Sequence, residues 1–292
     1  MGNYPSSLGM ISMFNFNKIS KYLKRVLRDY DPVNNFQSIS TYLNGFTSNK
    51  EFSLLFDNGI TWIILDSGLQ IKYLNRFNSV SSIFFDIGAN VGLYSMSVAN
   101  RYKDVEIHAF EPVPDTCHEF KVNLVRNKLD GRIILNPLAV SDICGRVYVT
   151  VDHHASNYLV EPTSSQKKLK VDCITIDNYV KMHSIKKIDF IKIDVEGKEL
   201  SVLKGTERSL EQFRPILLIE LIEQNYKFFD RKDDDYKEVI KFMMNLGYKY
   251  YVLDDKNHFI YHDKIKEAVL LNSFHNYLFY LDRVDMTDNL GK

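Results

Sequence analysis

The residue types and spacing that could do chemistry are concentrated in Asp86-Ile87-Gly88-Ala89-Asn90-Val91-Gly92, which follows the apolar run Ile83-Phe84-Phe85 and leads into Leu93-Tyr94. An apolar strand that breaks into a glycine-containing turn and then a helix is a ligand-binding arrangement. Glycine there lets a ligand lie against backbone that no Cβ shields, and the tight turn itself calls for positive φ. The helix start adds N–H groups without intrahelical partners. Glu111 ends the next apolar run, His108-Ala109-Phe110, and stands 19 positions beyond Gly92. In a doubly wound sheet that carboxylate arrives beside the first turn, where it can accept both hydroxyls of a ribose. The pair describes a crevice for an adenosine compound at the carboxyl edge of the strands.

Details of the turn separate one adenosine compound from another. A dinucleotide site calls for G-x-G-x-x-G, whereas this turn reads D-x-G-x-N-x-G and offers a pyrophosphate no seat. Asp86 would repel phosphate but can pair, directly or through water, with the cationic amino group of a methionine moiety. The reading is therefore S-adenosylmethionine. A nicotinamide-dependent oxidoreductase or epimerase shares the fold but would need the missing glycines and a Tyr-x-x-x-Lys pair; Tyr226 and Tyr236 are followed four positions later by Asp230 and Ile240. A non-catalytic adenosine-binding partner in glycan assembly is the other alternative, and the intact set of site residues argues against it.

Transfer of a methyl group requires an acceptor oxygen held about 3 Å from the methyl carbon, and a group to take its proton. Asp194 and Glu196, after the run Ile188 to Ile193, are the candidate catalytic residues. Glu199 in the same acidic run suits the first turn of the following helix, where a carboxylate favours the macrodipole. Glu220 ends the next strand and could share a divalent ion with Asp194, although two carboxylates are too few to require one and no metal is assigned. His153 and His154 lie in a polar loop, as a base suited to neutral pH or as exposed side chains, and Ser156-Asn157 beside them fits a substrate contact or a turn.

The runs Phe85 to Tyr94, Phe110-Glu111-Pro112, Lys192-Ile193-Asp194-Val195-Glu196-Gly197-Lys198-Glu199 and Val202-Leu203-Lys204-Gly205 resemble the FkbM family of methyltransferases over roughly residues 80 to 225. The resemblance implies a class I, Rossmann-like methyltransferase fold and O-methylation of hydroxyls on sugars, glycans, polyketides or related small molecules. It also implies that Asp86, Gly88, Asn90 and Gly92 line the methionine end of the cofactor, that Glu111 takes the ribose, and that Ala139, Val140 and Ser141 lie near adenine.

The elements that must position these residues follow from periodicity. The apolar runs Ser82–Ile87, Val105–Phe110, Arg132–Leu138, Ile188–Ile193 and Ile216–Leu221 read as parallel strands buried on both faces, alternating with helical segments. One helix starts at Pro114-Asp115, and another, carrying Tyr236, Val239, Ile240, Met243 and Leu246, stops at Gly247. Tyr248–Leu253 and Asn276–Leu281 supply two further strands, for a doubly wound, mostly parallel seven-stranded α/β sheet. Val147–Val151 and Leu169–Val171 alternate like edge strands around the polar loop, where an acceptor-shaping segment fits.

Residues 1–79 read as an N-terminal appendage of helices and a β-hairpin, with the turn at Asn58-Gly59, and residues 80–285 as the S-adenosylmethionine-binding domain. The segment Lys18 to Tyr30 has an apolar stripe and a basic face, which packs on the domain or makes weak membrane-surface contact; Met1-Gly2-Asn3-Tyr4-Pro5-Ser6 fits a loose myristoylation pattern. Lysine plus arginine equal aspartate plus glutamate at 37 each, which disfavours nucleic acid as the partner and leaves a small-molecule or glycan acceptor. The isolated cysteines Cys117, Cys144 and Cys173 fit neither a disulfide framework nor a zinc site, and with no apolar run long enough to span a bilayer the expected location is the cytoplasm.

Overall fold

The computed structural model describes residues 82–151, 157–221, 236–253, 259–261 and 276–281. The expected appendage over 1–79, with its basic segment and hairpin, lies outside the described residues, as do His153, His154 and Ser156. In chain order the elements are β1 (Ile83–Ile87), α1 (Leu93–Arg101), β2 (Glu106–Phe110), α2 (Pro114–Arg126), β3 (Ile134–Asn136), β4 (Ala139–Val140), β5 (Gly145–Thr150) and β6 (Leu159–Val160). They continue with β7 (Lys168–Ile174), α3 (Ile176–Met182), β8 (Phe190–Ile193), α4 (Glu199–Lys204), α5 (Glu207–Phe213), β9 (Ile216–Glu220), α6 (Tyr236–Asn245), β10 (Lys249–Leu253), β11 (Phe259–Tyr261) and β12 (Asn276–Tyr280).

The main sheet has eight strands in the order β11-β10-β12-β9-β8-β1-β2-β3. Strands β3, β2, β1, β8 and β9 are mutually parallel, and β12, β10 and β11 complete the sheet antiparallel. The seven expected strands are present, and the short β11 adds an eighth at the rim. Because side chains alternate across a strand, each face of the sheet carries its own core. Phe84, Phe190, Leu218, Leu278 and Tyr280 pack with α1 and α2 residues such as Met96, Val98, Phe120 and Leu124. Phe85, Ile87, Ile191, Ile193, Leu217 and Phe279 pack on the other face with Tyr179, Val202, Leu203, Leu210, Val239 and Met243. Helices on both faces make the sheet doubly wound.

The segment read as edge strands around a loop is a second sheet, in the order β4-β7-β5-β6. Its β5 and β7 are antiparallel over six residue pairs, Gly145↔Cys173 to Thr150↔Lys168, while β4 pairs parallel with β7. Helix α3, which follows β7, is capped by Thr175, whose hydroxyl accepts from the Asn178 N–H. Both sheets end in short strands: β3 and β11 have three residues, and β4 and β6 have two. No helix among the described residues is long and apolar enough to cross a membrane.

Candidate cofactor and acceptor site

Strand β1 is central, so the turn that leaves it is hemmed in on both sides. The N–H groups of Gly88 and Ala89 both donate to the Phe110 carbonyl, at 3.0 and 2.9 Å, which ties the turn to the end of β2. Gly88 has φ +77, and a Cβ placed there would stand 2.8 Å from the Asp194 carbonyl carbon and closer still to its oxygen. Gly92, the residue preceding α1, has φ +91, and a Cβ there would run into the Phe120 ring. Both glycines are thus required by protein that abuts them as well as by the positive φ expected of the turn. Asn90 is also left-handed at φ 50; its Oδ1 accepts from the Val91 N–H at 2.8 Å, the local bond that lets asparagine tolerate this conformation.

The two carboxylates assigned to the cofactor meet at this turn. Glu111 Oε2 accepts from the Asn90 N–H at 3.1 Å, and Oε1 accepts from the Val113 N–H at 2.9 Å. Each carboxylate oxygen has lone pairs for a second donor. Burial pushes the Glu111 carboxyl up to about 7, against the two backbone donors that lower it. Asp86 is 1% exposed, and its Oδ2 accepts from both the Ser95 N–H at 3.0 Å and the Ser95 hydroxyl at 2.6 Å, fastening the first turn of α1 to β1. Burial raises Asp86 to about 6, with Ser95 and Lys192 pulling it down. Asp86 therefore holds the turn from beneath, while Glu111 holds its rim.

Asp194 reaches the same place from β8, its N–H donating to the Ile87 carbonyl at 3.0 Å. Its Oδ2 lies 3.0 Å from Nζ of Lys192, which is 1% exposed and whose ammonium stands 4.8 Å above the Tyr94 ring. Burial alone would lower the Lys192 pKa, but the charges of Asp194, Glu220 and Asp86 outweigh it and hold the ammonium above its ordinary value. Glu196 has φ 52 and is part-exposed in the turn that leads to α4. Glu199 is buried, and its Oε1 accepts from the Gly197 N–H at 2.9 Å, a role in the start of α4. Among the described residues no cluster of three or more His, Cys, Asp or Glu side chains is arranged to hold a metal ion.

Ala139, Val140 and Ser141 are buried in protein contacts. Ala139 shares a core cluster with Val113, two residues beyond Glu111, and the Ser141 N–H donates to the Ile174 carbonyl at 3.2 Å. A cavity of about 510 Å³, to whose lining none of Ala139, Val140 and Ser141 contributes, is walled by Pro112, Pro114, Cys117, Pro137, Arg146 and Lys170 among others. It adjoins the Glu111 loop through Pro112. Asn157, from the pair singled out in the polar loop, accepts from the Thr150 hydroxyl at 3.4 Å and serves the β5–β6 connection. Lys192 and Ser95 escaped the sequence reading as site residues. The signal for Lys192 was present, because a lysine between Ile191 and Ile193 in a strand buried on both faces must have acidic neighbours.

The sequence profile of the methyltransferase FkbM domain matches residues 86–250. The chain is 26% identical over 148 residues to the hexuronic acid methyltransferase AglP of Haloferax volcanii, covering 51% of this chain and 59% of that protein. It is 25% identical over 156 residues to the 31-O-demethyl-FK506 methyltransferase FkbM of Streptomyces tacrolimicus, covering 43% and 59% respectively. The alignments thus span about three fifths of the length of these two relatives. The crystal structure of the methyltransferase FkbM from Methylobacillus flagellatus KT is similar at 18% identity, with a TM-score of 0.47, covering 82% of this chain and 57% of that one.

Proposed function

The chain belongs to the methyltransferase FkbM domain family, and from that membership we propose that it transfers a methyl group from S-adenosylmethionine to a hydroxyl of a sugar, glycan or other small molecule. The observation that carries the proposal is the 3.1 Å bond from the Asn90 N–H to Glu111 Oε2, which joins the turn after β1 to the carboxylate after β2 at one rim, with Asp194 abutting Gly88 beside them. A crevice of this kind at the carboxyl edge of a doubly wound sheet suits an adenosine compound. Glu111 would hold the ribose; Gly88, Asn90 and Gly92 would shape the methionine end, with Asp86 fixing them from below; Ala139, Val140 and Ser141 would border adenine. The likeness to a hexuronic acid methyltransferase and to a 31-O-demethyl-FK506 methyltransferase supports an oxygen acceptor.

When bound, S-adenosylmethionine supplies an electron-poor methyl group on a sulfonium. Lys192 takes Asp194 Oδ2, leaving Oδ1 to accept a hydrogen bond from the acceptor hydroxyl and then its proton. Glu196, in the turn that follows, is the second candidate for that contact. In this reading residues 80–285 form the cofactor-binding domain, residues 1–79 are appended to it, and the protein works in the cytoplasm.

Titration with S-adenosylhomocysteine, NAD and NADP, read as a shift in Tm, tests the cofactor, because a ligand that binds only the folded state must raise it. Stabilisation by S-adenosylhomocysteine alone is the expected result; stabilisation by the nicotinamide compounds alone would overturn the proposal. Asp194→Ala should abolish transfer and retain cofactor affinity, whereas Glu111→Ala should weaken the cofactor itself.

A further inference from the structure

Three strands of the main sheet end in a line of polar side chains beyond the cofactor turn. Strands β8 and β9 pair as far as Ile193↔Ile219, which sets Asp194 beside Glu220, and Glu220 is itself paired with Asn276 at the start of β12. All three lie on the face that carries Lys192, Leu218 and Leu278, since each is two residues from one of these. With strands about 4.8 Å apart, the line from Asp194 to Asn276 is about 10 Å long, enough for a six-membered sugar ring.

Asn276 is the anomaly in that line. It is only 4% exposed, and its Oδ1 has no hydrogen-bond partner. A buried amide oxygen without a partner is destabilising, and such atoms in folded proteins generally have a use. An amide presents both an acceptor and donors, which exchange when its end rotates, so a hydroxyl satisfies it in either orientation. A carbonyl or an ether oxygen can only accept.

Resting on the methyltransferase reading above, we infer that Asn276 is an acceptor-contacting residue that takes a second hydroxyl of a polyhydroxylated substrate, while Asp194 faces the hydroxyl to be methylated. The site then selects a sugar-like polyol over a lone alcohol or phenol, because only a polyol supplies hydroxyls at both ends of the line.

The test uses the full chain saturated with S-adenosylhomocysteine and titrated calorimetrically with glucose, glucuronic acid, rhamnose and myo-inositol, with cyclohexanol as the single-hydroxyl control. At least one polyol should bind and cyclohexanol should not. Asn276→Ala and Asn276→Leu should each weaken that polyol tenfold or more and leave the Kd for S-adenosylhomocysteine unchanged. Asn276→Leu should also raise the Tm of the ligand-free protein by about 2–4 °C, because it removes the unpartnered amide oxygen, a gain that a residue needed only for folding would not show. Binding of no polyol, equal binding by the variants, or a fall in Tm for both variants overturns the inference. Failure of the unaltered protein to bind S-adenosylhomocysteine instead overturns the methyltransferase reading.

Discussion

Replacing Gly88 with alanine separates two reasons for a glycine that are usually confounded. The first is backbone conformation: at φ +77 an alanine sits in the left-handed region, at a penalty of roughly 1–2 kcal/mol, partly offset by the lower entropy it gives the unfolded chain. The second is collision. The added Cβ would lie 2.8 Å from the Asp194 carbonyl carbon, whereas carbon atoms rest about 3.5–4.0 Å apart, so backbone must move by about 1 Å. Neither partner is a side chain that can swing away: β1 and β8 are hydrogen-bonded neighbours in the centre of the sheet. Overpacking of this kind adds about 1–3 kcal/mol. Gly131 provides the control, since it has φ +78 and nothing within 4 Å of its would-be Cβ. Gly131→Ala should therefore show the conformational part alone, about 1 kcal/mol, and Gly88→Ala about 3 kcal/mol, a fall in Tm of about 6–12 °C for a domain of this size. Urea unfolding of both variants beside the parent chain measures the difference. Equal destabilisation by the two substitutions would refute the claim that Gly88 is required by the abutting end of β8.

Lys192→Met removes the buried cation that faces Asp194, Glu220 and Asp86, and should destabilise the protein by about 3 kcal/mol in urea, near the low end for a broken buried pair because Asp194 keeps 31% exposure. An unchanged urea midpoint would show that the ion pair does not hold the site. Asp86 and Glu111, raised by burial to about 6 and about 7 from 3.8 and 4.5, make the folded chain hold more protons than the unfolded one in between. Their contribution to stability is therefore full below about pH 4 and is lost as pH rises through 6 and 7, and Glu111→Gln should flatten the upper part of that slope; an identical slope in the variant would contradict it.

The parts of the fold that could be read in advance were those dominated by burial. Runs such as Ile83–Ile87 and Ile216–Leu221 are apolar but for Asp86 and Glu220 because the sheet is covered on both faces, and their order located Asp86, Glu111 and Asp194 at one edge. The packing reason for Gly88 and Gly92 was not legible, since what meets them, the Asp194 carbonyl and the Phe120 ring, is distant in sequence. Nor was the second sheet: β5 and β7 alternate as half-exposed strands do, but β4 and β6 are two residues each, too short to leave a pattern. Asn276 gave no sign because an asparagine at a strand start reads as an ordinary boundary residue. Its distinction is the missing partner, a property of packing in three dimensions.

The short outer strands have a consequence for how the protein behaves in concentrated solution. Among the described residues both sheets terminate in strands of two or three residues, β3, β11, β4 and β6. Short outermost strands blunt edge-to-edge pairing at the positions they cover, but β4 pairs only with Cys173 and Ile174 of β7 and β6 only with Tyr148 and Val149 of β5. At β3 the Asn136 side-chain amide even donates to the Ile134 carbonyl, at 3.2 Å, occupying part of the edge from within the same chain. Among the described residues the main sheet is thus the better protected of the two, and the second sheet keeps its longer open edges along β5 and β7.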